Sequence, residues 1–276
     1  MTRGATPFSA ALALLLGGCS LLGAGGAGQA SGGVPSRPAP AREAAEQVPL
    51  RADDKTRART RLTLAEAYFS QGRLDIALEE LAQSLRLNPD DADAYNLRGL
   101  IHLDMRQLEA SEQDFQRALS ISRDNSDIRH NYGYMLCQAG RYAQARQQFD
   151  AALADPAYRA REKTLLVSGI CLTRAGQWLE AEAVLRRVLQ FNPASTAAGQ
   201  ALADVLHRQR KDADARFYIR RINNSDQASA ASLWLGIRVE RALGHGDAVR
   251  QLAEQLRRRF PDSSELVAYD RGAFEE

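Results

Sequence analysis

The sequence predicts an all-α chain of helix-turn-helix units stacked into a solenoid. A pattern of small and bulky residues recurs every 34 residues along most of its length. Glycines fall between the two halves of that pattern, where a tight turn needs a positive φ. No segment reads convincingly as a strand.

The first residues stand apart from this pattern. Arg3 supplies a short positive region, and the apolar stretch from Phe8 to Leu16 follows. Roughly ten apolar residues are too few to cross about 30 Å of hydrocarbon as a helix. They have the length of a signal-peptide core. Leu16-Gly17-Gly18-Cys19 resembles the lipobox of bacterial lipoproteins. That resemblance implies removal of residues 1–18 as a signal peptide and lipid attachment at Cys19. The competing reading is an ordinary signal peptide, or a buried helix, with an incidental cysteine. Ser20 in place of aspartate favours sorting to the outer membrane. Several acyl chains, at about 0.8 kcal/mol per buried CH₂, hold a protein far more firmly than one.

Residues 19–50 are rich in Gly, Ala, Ser and Pro and poor in aromatic and β-branched side chains. They are read as a flexible, lipid-anchored linker, reaching on the order of 30 Å root-mean-square.

From about residue 57 the pattern begins. Ala65, Gly72, Ala77, Leu81 and Pro89 of the first copy match Gly99, Ser111 and Phe115 of the second. Gly133, Gly140, Ala145 and Phe149 continue the third, and Gly169, Gly176, Ala181, Leu185 and Pro193 the fourth. The fourth comes 36 residues on, so a two-residue insertion is expected between Asp155 and Arg161. Two weaker copies carry Ala203, Leu206, Ala215 and Ile219, then Gly236, Ala248, Leu252 and Pro261. The six copies are placed at 57–90, 91–125, 126–161, 162–195, 196–228 and 229–262. Residues 263–276 are expected to form a capping helix, started by Asp262 or Ser263 and ending on the polar pair Glu275-Glu276. Small residues on each first helix let the second helix cross closely, bulky ones fill the space beyond, and prolines end second helices. Period and pattern resemble the tetratricopeptide repeat, which implies a right-handed superhelix of stacked hairpins.

The sequence offers no chemistry. His102, His130, His207 and His245 are scattered, and His102 sits where the repeat wants a core aromatic, so packing is its simplest role. No His/Cys cluster has metal-ligand spacing. A net charge of +2 with mixed signs gives no footprint for nucleic acid. The chain is therefore read as a non-enzyme without cofactor, metal, nucleic-acid or small-molecule partner.

With Cys19 assigned to lipid, Cys137 and Cys171 remain, one repeat apart on neighbouring first helices. An oxidising periplasm favours a disulfide between them; two buried free thiols are the alternative. First helices also line the concave face of such arrays, a common seat for an extended peptide or helix. The register places Arg59, Leu62, Glu66, Phe69, Asn96, Leu100, Leu103 and Tyr134 there, with His130 and Gln138 beside them. Leu62, Phe69, Leu100, Leu103 and Tyr134 read either as an apolar partner groove or as core displaced by one position. Leu62 and Glu66 depart from the basic-plus-asparagine clamp of chaperone-tail-binding repeats.

The stretch NYGYMLCQAGRYAQARQQFDAAL, the later SGICLTRAG and the terminal RRRFPDSSE resemble the type IV pilus biogenesis lipoproteins, the PilF/PilW pilotins. The resemblance covers most of residues 57–276. It implies binding of the type IV pilus secretin subunit and promotion of its outer-membrane localisation and multimer assembly. The anchor would hold the protein on the outer membrane, facing the periplasm. Another outer-membrane repeat scaffold, serving β-barrel assembly or recruiting peptidoglycan enzymes, is the second reading.

Overall fold

The computed structural model describes residues 52–274. The proposed signal peptide, Cys19, the linker through residue 50 and the terminal Glu275-Glu276 lie outside the described residues. Among the described residues thirteen helices follow one another: α1 Ala52–Ser70, α2 Leu74–Leu87, α3 Ala92–Asp104, α4 Leu108–Ile121, α5 Ser126–Gln138, α6 Tyr142–Ala154 and α7 Arg161–Arg174, then α8 Trp178–Phe191, α9 Thr196–Arg208, α10 Asp212–Asn223, α11 Ala230–Ala242, α12 Gly246–Arg259 and α13 Ser264–Asp270. They form six antiparallel hairpins and a closing helix, a tetratricopeptide-repeat solenoid. Among the described residues every regular element is helical.

The two helices of a hairpin start differently. Asp91, Asn125, Ser195, Ser229 and Ser263 cap α3, α5, α9, α11 and α13 with side-chain oxygens, satisfying otherwise orphaned N–H groups. Second helices start without a side-chain cap, directly out of the turn that closes the first helix. In every hairpin the backbone N–H that opens the second helix donates to a carbonyl five residues back. Arg73 donates to Tyr68, Arg141 to Leu136 and Gln177 to Leu172, each at 2.9 Å. This is the Schellman turn, and it requires a left-handed residue just before the donor. Gly72, Gly140, Gly176 and Gly244 meet that requirement at φ 72–77°. In the second and fifth hairpins the same place holds Arg106 and Arg210, at φ 62° and 61°. The turn geometry thus overrides an ordinary side chain's preference, a strain of about 1–2 kcal/mol per site.

Within hairpins the core depends on close crossing. A Cβ built on Gly99 would sit 3.1 Å from the Phe115 ring, on Gly133 2.7 Å from Phe149, and on Gly169 2.7 Å from Leu185. Those three bulky residues are almost wholly buried. The last hairpin swaps the arrangement: Ile237 and Ala253 occupy the small and large places, and both are buried. Its Gly236 is approached both by Leu252 of α12, 3.2 Å from a built Cβ, and by Asn223 of the preceding hairpin, whose Nδ2 donates to the Ser232 carbonyl at 3.0 Å.

Between hairpins, buried apolar clusters run across the boundaries. One joins Phe115 and Ala118 to Ile128, Met135 and Phe149; another joins Leu185 to Leu202, Leu206 and Ile219. Ion pairs reinforce the joints at equivalent places. Glu112 accepts from Arg141 at 2.6 Å, and one repeat pair later Glu182 accepts from Lys211 at 2.8 Å. Burial works to raise Glu182, but hydrogen bonds from Lys211, Arg186 and Gln209 hold its carboxyl down to about 2. The Ala154–Arg161 connection packs Tyr158 inward, and Arg161 donates to the carbonyls of Leu153 and Asp155. At the far end α13 packs on α11 and α12, and beyond it Phe274 returns to stack on Trp234 at 5.4 Å.

Gly133→Ala should cost about 1–3 kcal/mol in urea unfolding, because its methyl overlaps the Phe149 ring. Arg106→Gly should gain up to about 1 kcal/mol by relieving the left-handed turn, less the entropy of an added glycine. A loss of stability in Arg106→Gly would refute the strain assigned to that turn.

Candidate partner-binding surface

Successive first helices touch one another along the array, α1 to α3, α3 to α5 and onward to α13, whereas successive second helices do not meet. The first helices therefore form the inner, concave wall. Polar bonds tie that wall together. Asn131 donates to the Asn96 side chain at 3.0 Å, and Arg174 to Gln138 at 2.8 Å. The His130 Nδ1 lies 2.9 Å from the Thr164 hydroxyl, which lies 2.9 Å from the Tyr158 hydroxyl. His130 and Thr164 are both buried, and burial, with Lys163 nearby, pushes the imidazole down to about 4. His130 is thus a neutral hydrogen-bonding strut between α5 and α7.

The same two helices carry Cys137 and Cys171, joined as a disulfide with Cα atoms 5.8 Å apart, a separation ordinary for such bonds. Both cysteines are buried.

His102 corrects an expectation. Rather than filling an aromatic core site, it is half-buried with Nδ1 2.9 Å from the buried Asp114 carboxylate. Arg98 Nε and Nη2 donate to the same carboxylate, at 3.0 and 2.6 Å. That hydrogen bond raises the arginine's affinity for its proton against the opposing effect of burial. A buried acid on the second helix thus fixes two polar residues of α3.

The expected groove residues divide. Leu62 and Leu103, 9% and 6% exposed, belong to the packed clusters between helices, so their placement on an open strip is corrected. Phe69 and Leu100 are half-buried and pack partly against those clusters. Arg59 and Glu66 are exposed. Asn96 is half-buried under its bond to Asn131. Tyr134, 37% exposed, accepts from Gln138 at 2.7 Å through its hydroxyl. Leu100 and Tyr134 keep the same register on neighbouring first helices and carry what remains of the apolar strip.

That register continues further than the sequence pattern suggested. One repeat beyond Tyr134 lies Ile170, then Asp204 and Arg238. These three help to line a hollow of 510 Å³ formed by α7, α9, α11 and α13, with Ala201, Trp234 and Leu235 as apolar walls. Extending the 34- and 36-residue offsets into the weaker copies would have found it. Among the described residues there is no group of His, Cys, Asp and Glu that could hold a metal ion. No described helix is long and apolar enough to cross a membrane.

Comparison with known proteins bears on this surface. The tetratricopeptide-repeat model matches residues 62–128 and 136–196, and a second model of that description matches 115–147. The chain is 25% identical over 227 residues to the type IV pilus assembly protein PilF of Pseudomonas aeruginosa, covering 81% of this chain and 90% of PilF. The crystal structure of PilW, described as a widely conserved type IV pilus biogenesis factor, superposes with a TM-score of 0.73 at 30% identity. It matches 77% of this chain and 97% of PilW. A solved Pseudomonas aeruginosa PilF superposes with a TM-score of 0.70 at 23% identity, covering 80% and 99%.

A histidine held below its ordinary pKa of 6.5 contributes stability that is complete above that value and is lost as pH falls toward its folded pKa. About 2 kcal/mol should therefore disappear between pH 7 and pH 5. In urea titrations His130→Gln should flatten that part of the pH profile. An equal slope in the variant would remove the buried neutral strut.

Proposed function

The chain belongs to the tetratricopeptide-repeat superfamily and is homologous to the type IV pilus biogenesis factors PilF and PilW; on that premise we propose that it acts as a pilotin. In this reading it is a non-enzymatic outer-membrane lipoprotein, anchored at Cys19 and facing the periplasm. It binds the type IV pilus secretin subunit and promotes the secretin's localisation and multimer assembly. The carrying observation is the likeness to PilW, which extends over 97% of that protein at 30% identity.

The chemistry is that of a rigid receptor. Caps, Schellman turns and the ties between first helices order the concave wall before any partner arrives, which lowers the entropic cost of binding. The partner-binding groove is assigned to the early repeats, where Leu100 and Tyr134 offer apolar surface beside the polar Asn96, Arg59 and Glu66. The lipid at Cys19 commits whatever is bound to the outer membrane, and the linker through residue 50 lets the array stand away from it.

The Cys137–Cys171 bond is proposed as the periplasmic staple of the third and fourth repeats. Closing its loop stabilises the fold by about 3–4 kcal/mol on the chain-entropy model. Alkylation and mass spectrometry of unreduced protein should find both thiols blocked. Two free thiols would remove the staple.

Two variants test the function. Cys19→Ala should leave the repeats folded but strand secretin away from the outer membrane and abolish its multimers. Leu100→Asp with Tyr134→Asp should retain the anchor but lose secretin in pull-downs, about tenfold or more in affinity. Normal secretin multimers in a deletion strain, together with no binding in vitro, would refute the proposal.

A further inference from the structure

Beside the hollow of α7–α13 lies a cleft of 710 Å³ whose walls include Arg208, Arg210, Arg238 and Arg241 together with Trp178 and Phe274. Arg208 ends α9, Arg210 stands in the following turn at φ 61°, and Arg238 and Arg241 lie on the last turns of α11. Asp204 accepts from Arg208 at 2.9 Å and lies 3.5 Å from Arg238. His207, on the same wall, has its Nδ1 2.5 Å from Asp212. Arg210 and Arg241 have no carboxylate partner among the described residues. Arg241 lies over the Phe274 ring at 4.0 Å and Arg208 over Trp178 at 5.5 Å. Stacking uses the face of a guanidinium and leaves the edge donors of Arg241 to fork onto a planar anion.

Asp204 offsets part of the charge of Arg208 and Arg238, while Arg210 and Arg241 add two further positive charges at the same recess and focus a positive potential into it. Arg208 and Arg238 also border the 510 Å³ hollow with its Trp234, Leu235 and Ala201 walls, so the charged and apolar recesses are contiguous. The hollow lies along first helices, on the concave wall, and the cleft continues it at the ends of α9 and α11 beside the turn that holds Arg210. A flat headgroup plane does not enter a concave wall, whereas an extended chain does.

We propose that the arginine cleft and its adjoining hollow form a second docking surface, which takes an acidic polypeptide segment. Paired Asp or Glu carboxylates sit against Arg210 and Arg241, and a neighbouring apolar side chain enters the hollow against Trp234. This surface belongs to the last three hairpins and the closing tail and is separate from the groove assigned to the early repeats.

Fluorescence anisotropy with the full chain tests it. The probe is a fluorescein-labelled, C-terminally amidated peptide, Gly-Glu-Glu-Leu-Glu-Asp-Leu-Gly, against a control in which Gln and Asn replace its acids. The acidic peptide should bind at least tenfold tighter than the control, and more weakly as salt rises. Arg210→Gly places glycine where the backbone is already left-handed, so it removes the charge without loss of fold. Alone it should weaken binding severalfold, and with Arg241→Gln at least tenfold, while circular dichroism stays unchanged. Equal affinity for the two peptides, no binding at all, or affinity unchanged in Arg210→Gly would overturn the proposal. So would phosphatidylglycerol vesicles that bind with the same arginine dependence, since the surface would then read lipid.

Discussion

The structure rests on how closely the two helices of each hairpin approach. Gly133 and Gly169 present bare backbone to Phe149 and Leu185 at distances a Cβ would not permit, and Gly99 meets Phe115 nearly as closely. This contact sets how the second helix crosses the first and buries the largest side chains of each unit. It also leaves the remaining apolar faces of both helices open, so a hairpin has no complete core until the next one covers it. Clusters that run through hairpin boundaries are the consequence. The swap to Ile237 and Ala253 in the last hairpin shows that the summed volume of the pair is the constraint, more than which helix supplies the small residue.

The asymmetry between first and second helices follows from the same stacking. First helices meet one another and second helices do not, which makes one wall concave and continuous. From α3 to α7 that wall carries polar and covalent ties beside its apolar contacts: Asn131 with Asn96, Thr164 with His130, Arg174 with Gln138, and the Cys137–Cys171 bond. Such ties fix the spacing of neighbouring helices more tightly than apolar contact alone, since hydrogen bonds and disulfides have preferred distances and angles. A wall held at fixed spacing suits a receptor that must present surface without rearranging.

Charge is distributed along the array with a purpose the net value of +2 conceals. Glu112, Glu182 and Glu240 are engaged in bonds that join or brace hairpins. Arginines gather instead at the turn ends of α9 and α11, over Trp178 and Phe274. A balanced total argues against a nucleic-acid footprint but carries no information about such local separation, which arises only when distant residues are brought together.

The sequence by itself determined the period, the two-helix unit, the turns and the small and large core places. These are local: a turn glycine, its Schellman bond and a small-bulky pair sixteen residues apart all lie within one repeat, so spacing encodes them. It also marked Cys137 and Cys171 as neighbours, because one repeat separates them. The tertiary structure alone decided which first-helix side chains face outward. Adjacent positions on a helix point about 100° apart, and only the angle between stacked hairpins says which stripe the next unit covers. Leu62 and Leu103 were covered and Tyr134 was not. His102 turned from a packing residue to a partner of Asp114 for the same reason, since the acid arrives from the other helix. The arginine cleft draws on residues from Trp178 to Phe274, closed by a tail that folds back on Trp234. No sequence spacing announces such a site, because its geometry exists only after the last helices have packed.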